Sequence, residues 1–284
     1  MGRIAYVNGR FQPLSAAALA VEDRSVQFAD AIYEVWAVRD GRLLDMEGHL
    51  ARLKRSLGEL RIAAPMSDAA LTAVLKETQR RNRVRDGIVY LQISRGVFPR
   101  DHAFPPPSVK PTIVITAKML DRGAIEARAE KGAPIITLPD ERWARCDIKS
   151  TSLLPNVLAK QKAREAGAFE AWLVDEQGLV TEGTSSNAWI VDAKGQIITR
   201  DLSNHILHGI TRAAVLRLAR ERQMPVLERP FTIAEAQAAS EAFLTSAANA
   251  AMPIVAIDGK IVGSGAPGPI ARALRAAYFG GGGE

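Results

Sequence analysis

Arg145-Cys146-Asp147-Ile148-Lys149-Ser150-Thr151 and, 33 residues beyond its lysine, Thr181-Glu182-Gly183-Thr184-Ser185-Ser186-Asn187 are the two stretches that decide how this chain is read. A lysine that can lose its proton attacks carbonyls to form a Schiff base. A carboxylate held in a polar turn, as Glu182 is expected to be, can keep a pyridinium nitrogen charged. Together they point to pyridoxal-phosphate chemistry. Taken singly, each also reads as an ordinary surface lysine or turn residue. The pair therefore gains weight only if the rest of the chain supplies a phosphate cradle and a substrate clamp.

The flanking sequence predicts strands and helices mixed together. Ile4–Val7, Asn8-Gly9 and Arg10-Phe11 form a hairpin signal. Ala31–Arg39 reads as a strand that turns at Asp40-Gly41 into Arg42–Leu44. Asp45 is placed to cap a helix carrying Leu50, Leu53, Leu57 and Leu60, and Ser67 to cap another running to about Arg81. A strand at Ile88–Ser94, a Pro-rich loop at Gly96–Lys110 and a strand at Thr112–Ala117 follow. Beyond a join near Leu120–Arg122 come strands at 134–138, 170–174, 179–180, 188–191 and 197–198, with a helix at 153–166 stopped by Gly167. Helices at 211–222 and, behind Thr232, at 233–239 precede a strand at 242–245, a hairpin at 254–262 and a last helix at 270–278. The Gly280–Gly283 run reads as a flexible tail. Recurrent hairpins without regular β-α-β alternation predict an α+β fold. We expect two domains, 1–119 and 120–284, with a site between them.

The chain has 284 residues, 47% of them hydrophobic and 24% charged, enough for a sizeable core. Its 37 Lys and Arg against 31 Asp and Glu leave a net charge of +6, a balance that suits anionic ligands. The densest basic run, Arg80, Arg81, Arg83 and Arg85, ends a helical pattern where cations oppose the helix dipole, so nucleic-acid binding is not expected. The single cysteine, Cys146, permits no intrachain disulfide and reads as a small buried residue. MGRIAYVNGRF lacks a signal-peptide pattern and no apolar run is long enough for a membrane span, so a cytoplasmic protein is expected.

Two patterns mislead. Gly263-Ser264-Gly265-Ala266-Pro267-Gly268 matches GxGxxG, but the strand before it is half of a hairpin, and only 16 residues remain for the second strand and acidic residue a dinucleotide fold needs. His49, His102, His205 and His208 have no metal-site spacing with Cys or carboxylates, so no metal is expected.

Seven segments then stand in a consistent order: Ala29–Glu34, His49–Leu53, Ser94–Gly96, Pro99–His102, Cys146–Lys149, Thr181–Asn187 and Gly209–Arg212. Their order and spacing resemble the fold-type IV pyridoxal-phosphate enzymes over about Ile4 to Tyr278. That group includes D-amino-acid, branched-chain and (R)-amine aminotransferases and aminodeoxychorismate lyase. The resemblance implies two domains with pyridoxal 5'-phosphate at their interface. It implies that Lys149 is the Schiff-base lysine and proton carrier, and that Glu182 pairs with the pyridine nitrogen. Arg142 and Arg145 lie just before the lysine, and either could orient Glu182. Arg52, Ile210, Thr211, Ser246 and the backbone of Ala247 are implied for the phosphate end, with Ser185 and Ser186 among the cofactor contacts. Many D-amino-acid enzymes have a hydroxyl residue where Ala247 stands, a change that a backbone contact survives and a side-chain contact does not.

Within the group, Tyr33 and the Arg100-x-His102 pair match the α-carboxylate clamp of D-amino-acid aminotransferases. In that family the loop reaches the partner subunit's site, which implies a homodimer using amino acids and 2-oxo acids. The alternatives are a branched-chain L-amino-acid or (R)-amine transaminase, then aminodeoxychorismate lyase. A branched-chain enzyme reads the carboxylate largely through backbone groups, and an (R)-amine enzyme has no need of this clamp.

Overall fold

The computed structural model describes residues 2–280, so Gly281–Gly283 of the expected tail lie outside the described residues. The chain forms two compact units, Met1–Arg122 with Ile148–Ser152, and Gly123–Asp147 with Leu153–Glu284. The Lys149 segment thus clusters with the N-terminal unit, whereas the sequence placed it in a domain spanning 120–284.

In the first unit β1 (Ile4–Val7) pairs with β2 (Arg10–Pro13) through Asn8 and Gly9, both at positive φ, as a two-residue hairpin requires. A short helix, α1 (Arg24–Phe28), precedes β3 (Ala31–Arg39) and β4 (Arg42–Leu43). Helices α2 (Met46–Glu59) and α3 (Asp68–Arg81) lead to β5 (Gly87–Ser94) and β6 (Thr112–Met119). The sheet order is β2-β1-β6-β5-β3-β4, antiparallel at every junction. Alternation along β3 sends Ile32, Glu34, Trp36 and Val38 into the buried face, where Leu53 and Leu57 of α2 and Leu71 and Leu75 of α3 complete an apolar cluster. Each such apolar side chain contributes about 1.5–3 kcal/mol on burial. Ser67 caps α3 by accepting from the Ala70 N–H, as expected. Asp45 does not cap α2 with its side chain; it takes a left-handed conformation, φ 51°, that turns the chain into the helix.

Residues 148–152 run along the part of β3 that β4 leaves uncovered. The Tyr33 N–H donates to the Lys149 carbonyl at 2.9 Å, the Thr151 N–H donates to the Ala31 carbonyl at 3.0 Å, and Ile32 bridges Ser150. Lys149 is therefore positioned by strand-like pairing.

The second unit contains α4 (Arg122–Lys131), β7 (Ala133–Pro139), α5 (Leu154–Glu165), β8 (Glu170–Val174), β9 (Val180–Gly183), β10 (Asn187–Val191) and β11 (Ile197–Thr199). It continues with α6 (Ile210–Glu221), β12 (Val226–Glu228), α7 (Ile233–Ala238), β13 (Glu241–Ser246), β14 (Ala250–Ile257), β15 (Lys260–Ile261) and α8 (Pro269–Gly280). The sheet order is β12-β11-β10-β13-β14-β7-β8-β9, with β15 on β14. It is mixed: β7 runs parallel to β14 and β8, and β11 parallel to β12, while the other pairs are antiparallel. An antiparallel sheet and a mixed sheet with helices make the molecule α+β, as the recurrent hairpins indicated.

Glu182 lies in strand β9 and not in the expected turn. The GxGxxG stretch is the loop before α8, as expected. Its last glycine leaves room for Glu241, whose carboxylate accepts from the N–H groups of Ile270 and Ala271 at that helix start. Among the described residues no helix is long and apolar enough to cross a membrane.

Candidate active site

Lys149 is half-buried, with Nζ 4.1 Å from the centroid of the Tyr33 ring. Tyr33 stacks on Tyr90 at 5.8 Å, and the Tyr90 hydroxyl donates to Gln92 Oε1 at 2.8 Å. Burial, aided by Tyr33, pushes the Tyr90 phenol up to about 12, so it stays a protonated donor.

Arg52 is buried on the inner face of α2. Its Nε and Nη2 donate to Glu34 Oε1 and Oε2 at 2.8 and 2.7 Å, a bidentate fork on a carboxylate with no solvent exposure. His49 Nδ1 lies 2.7 Å from the same Oε2 and serves as its donor. Burial pushes Glu34 up, but the Arg52 charge and the bonds from Arg52 and His49 outweigh it and bring the carboxyl down to about 2. His49 is held below its ordinary value by burial, with Glu34 opposing. Two buried side chains, Glu34 and His49, thus fix the Arg52 guanidinium.

Arg100 and His102 sit on the exposed loop after β5 and meet on one aromatic ring. The Arg100 guanidinium is 4.6 Å and the His102 ring 5.3 Å from the Phe28 ring centroid. Arg24 of α1 holds the loop backbone by donating to the Asp101 and Ala103 carbonyls at 2.6 and 3.2 Å. Asp30 receives both Arg24 and Arg95, and Phe104 lies under the Arg95 and Arg61 guanidiniums at 3.7 and 4.7 Å. Tyr33 lies instead with Lys149 and Tyr90, so the expected clamp trio falls into two groups within this unit.

In the second unit the buried Glu182 carboxylate has three donors. Arg142 Nη1 bonds Oε1, Asn187 Nδ2 donates to Oε2 at 2.9 Å, and the Leu207 N–H reaches both oxygens at 3.1 and 3.0 Å. Arg142 is itself forked on Asp140, which accepts from the Thr181 hydroxyl at 2.6 Å. Of the two arginines before the lysine, Arg142 orients Glu182 and Arg145 pairs with Asp147. Burial pushes the Glu182 carboxyl above its ordinary value, with Arg142 and the Leu207 N–H opposing. Burial also pushes the Cys146 thiol up to about 12, which leaves it a protonated, weakly reactive group.

Gly209 is the N-cap of α6, followed by Ile210 and the buried Thr211, so this helix start presents N–H groups suited to an anion. β13 ends at Ser246; the Asn249 amide donates to Ser246 Oγ at 3.1 Å and its N–H to the Ser246 carbonyl at 3.2 Å, closing a turn that contains Ala247. The hydroxyls of Ser185 and Ser186 each donate to the buried Glu170 at 3.2 Å, and the Thr184 hydroxyl also bonds it. Among the described residues no cluster of His, Cys, Asp and Glu is arranged to hold a metal ion.

Glu34, Asp140, Glu170 and Asn187 were assigned no role from sequence, although each fixes a candidate side chain. Glu34 carried a readable signal: on the Ile32–Trp36 alternation it falls on the apolar face of a strand, where a carboxylate demands partners.

A family model described as Amino-transferase class IV matches residues 31–257. The D-alanine aminotransferase of Bacillus licheniformis is 43% identical over 270 residues, spanning 95% of this chain and 94% of that one. The D-alanine aminotransferase of Staphylococcus haemolyticus is 38% identical over 274 residues, spanning 96% and 95%. Among solved structures, the branched-chain aminotransferase of the thermophilic archaeon Thermoproteus uzoniensis with norvaline superimposes with a TM-score of 0.84 at 25% identity, over 98% of this chain and 94% of that one. A second branched-chain amino acid aminotransferase, solved with pyridoxamine 5'-phosphate, superimposes with a TM-score of 0.88 at 27% identity, over 98% and 93%.

Proposed function

The chain belongs to the class IV aminotransferases, and we propose that it uses pyridoxal 5'-phosphate to move the amino group of a D-amino acid to a 2-oxo acid. The observation that carries this reading is the buried Glu182 carboxylate, fixed by Arg142, Asn187 and Leu207. A buried anion with this donor set fits a protonated ring nitrogen, and the α6 N-terminus with Thr211 fits a phosphate. When bound, the cofactor supplies an aldehyde for the amino group and a ring that draws electron density from the substrate Cα.

Lys149 would bond that aldehyde through Nζ, and its freed amine would be the group that moves the proton at the substrate Cα. Glu182 holds the ring nitrogen charged. Arg52, Ile210, Thr211, Ser246 and the Ala247 N–H hold the phosphate, with Glu34 and His49 presenting the Arg52 fork. Ser185 and Ser186, whose hydroxyls donate to Glu170, contribute through their backbone. Tyr33, Arg100 and His102 hold the α-carboxylate. We place Arg100 and His102 in the partner subunit's site of a homodimer, which fits their exposure on a shaped loop. We also propose that the enzyme works in the cytoplasm, with domains divided near residue 120.

Purified enzyme given D-alanine and 2-oxoglutarate should form pyruvate, with L-leucine a poor donor. The likeness to the solved branched-chain enzymes supports a second reading, and a preference for L-leucine would move the assignment there. Protein that stays colourless with pyridoxal phosphate, with no borohydride-sensitive visible band, would remove the cofactor reading altogether.

A further inference from the structure

Asn187 stands where three parts of the second unit meet. Its Nδ2 donates to Glu182 Oε2 at 2.9 Å and to the Leu207 carbonyl at 3.0 Å, while the Leu207 N–H returns a bond to the Glu182 carboxylate. Both groups facing Nδ2 are acceptors, so only the amide nitrogen, with its two N–H groups, can stand there. Asn187 Oδ1 points the other way, against Gly209. A Cβ on Gly209 would come within 2.0 Å of Oδ1, and Gly209 is the N-cap of α6. On its third side Asn187 pairs in register with Thr245, one residue before Ser246. Its side chain is buried, so these contacts are made out of water, where each is stronger and each loss costs more.

We propose that Asn187 is a positioning residue that sets the distance between the two ends of the cofactor site: the carboxylate Glu182 and the phosphate-binding start of α6. The inference rests on the cofactor reading above and goes beyond it by assigning one amide to both ends. Glu182 alone could be held by Arg142. Arg142 also donates to the His205 carbonyl at 3.1 Å, but of the two only Asn187 bonds the Leu207 carbonyl and packs against the Gly209 N-cap from which Ile210 and Thr211 follow. The hydrogen bonds among Glu182, Asn187 and Leu207 form a closed ring, so a shift of either end strains them. Gly209 is the complementary half of the device, because any side chain there drives Asn187 off the ring.

The test uses the holoenzyme and two readouts: the dissociation constant of pyridoxal phosphate, and the pH at which its visible band titrates. Asn187→Ala should weaken cofactor binding about tenfold or more, the scale of losing hydrogen bonds to a buried charge, and should also move the band titration. Thr211→Ala should weaken binding but leave the titration in place, because it touches the phosphate end alone. Asn187→Asp keeps the volume but turns the donor into a second carboxylate beside Glu182. Its cofactor affinity should fall more steeply with rising pH than that of wild type, since a shared proton restores the bond only at low pH. Gly209→Ala should reproduce both effects of Asn187→Ala from the opposite side. Folded Asn187→Ala with wild-type affinity and titration would overturn the proposal. If that variant does not fold, an Asn187→Asp pH profile parallel to wild type overturns it equally. Wild-type protein that forms no visible band with pyridoxal phosphate would overturn the cofactor reading instead, and this inference with it.

Discussion

A carboxylate on the apolar face of a strand has to be neutralised in place, and Glu34 shows how this chain does it. Arg52 and His49 satisfy its oxygens, and Glu34 in return immobilises the arginine. Both titratable partners have folded-state values below their ordinary ones, so the unfolded chain binds protons first as pH falls. Stability should therefore be full above about pH 6.5, decline as His49 gains a proton in the unfolded chain, and decline further from 4.5 towards about 2 as Glu34 is protonated. The Glu34 share, from 4.5 to about 2, corresponds to about 3 kcal/mol. Urea unfolding between pH 8 and 2 reads this out, and His49→Gln should flatten the upper part of the curve. Glu34→Gln should destabilise by about 3 kcal/mol or more at neutral pH by leaving the Arg52 charge uncompensated. Lys149 and Glu182 were singled out in the sequence because their neighbours follow an ordered pattern. Their supports were less so: Asp140 and Asn187 act through contacts with Arg142 and Leu207, and such pairings exist only after the chain has folded.

At the scale of elements, the loop between β5 and β6 is shaped by arginines at its start and outside it. Arg24 holds its carbonyls, and Arg95 and Arg61 cover Phe104. Phe104→Ala should free the loop. We expect faster trypsin cleavage after Arg100 and a several-fold rise in KM for D-alanine, with a thermal midpoint close to wild type. Unchanged cleavage would show that Arg24 alone suffices. The elements that the sequence revealed are those with a strong local cause, such as the Asn8-Gly9 hairpin and α7 behind its Thr232 cap, which the structure closes into a capping box with Glu235. Helix α4 went unread because its one buried residue is Ala129, which leaves no apolar stripe to recognise. The first half of β14 was hidden by Pro253, which stands inside the strand opposite Phe243. β9 was mistaken for a turn because Thr181, Glu182 and Gly183 are polar or small; they are buried as a strand, with Thr181 and Glu182 bonded to Asp140 and Arg142.

For the whole molecule, the proposed homodimer makes a prediction that no single chain can satisfy. Chains carrying Lys149→Ala and chains carrying Arg100→Ala should each be impaired. After subunit exchange the mixture should regain activity towards D-alanine, because one site of each mixed dimer then has both residues. No recovery, with exchange verified, would place Arg100 in its own chain's site. Arg100→Ala should also raise KM for amino acids far more than for simple (R)-amines. The sequence suggested a join near Leu120–Arg122, while the detour of Ile148–Ser152 went unread, since nothing local in that segment says which sheet it joins. That detour bears on the order in which the protein can be made. Synthesis runs from the N-terminus, and the first 122 residues leave the ribosome with the start of β3 still lacking its neighbour. The missing piece is encoded about 30 residues later, after part of the second unit has already emerged. Completion of the N-terminal unit must wait for it, and until then Ala31–Tyr33 present an open strand edge, the kind of surface on which nascent chains mispair.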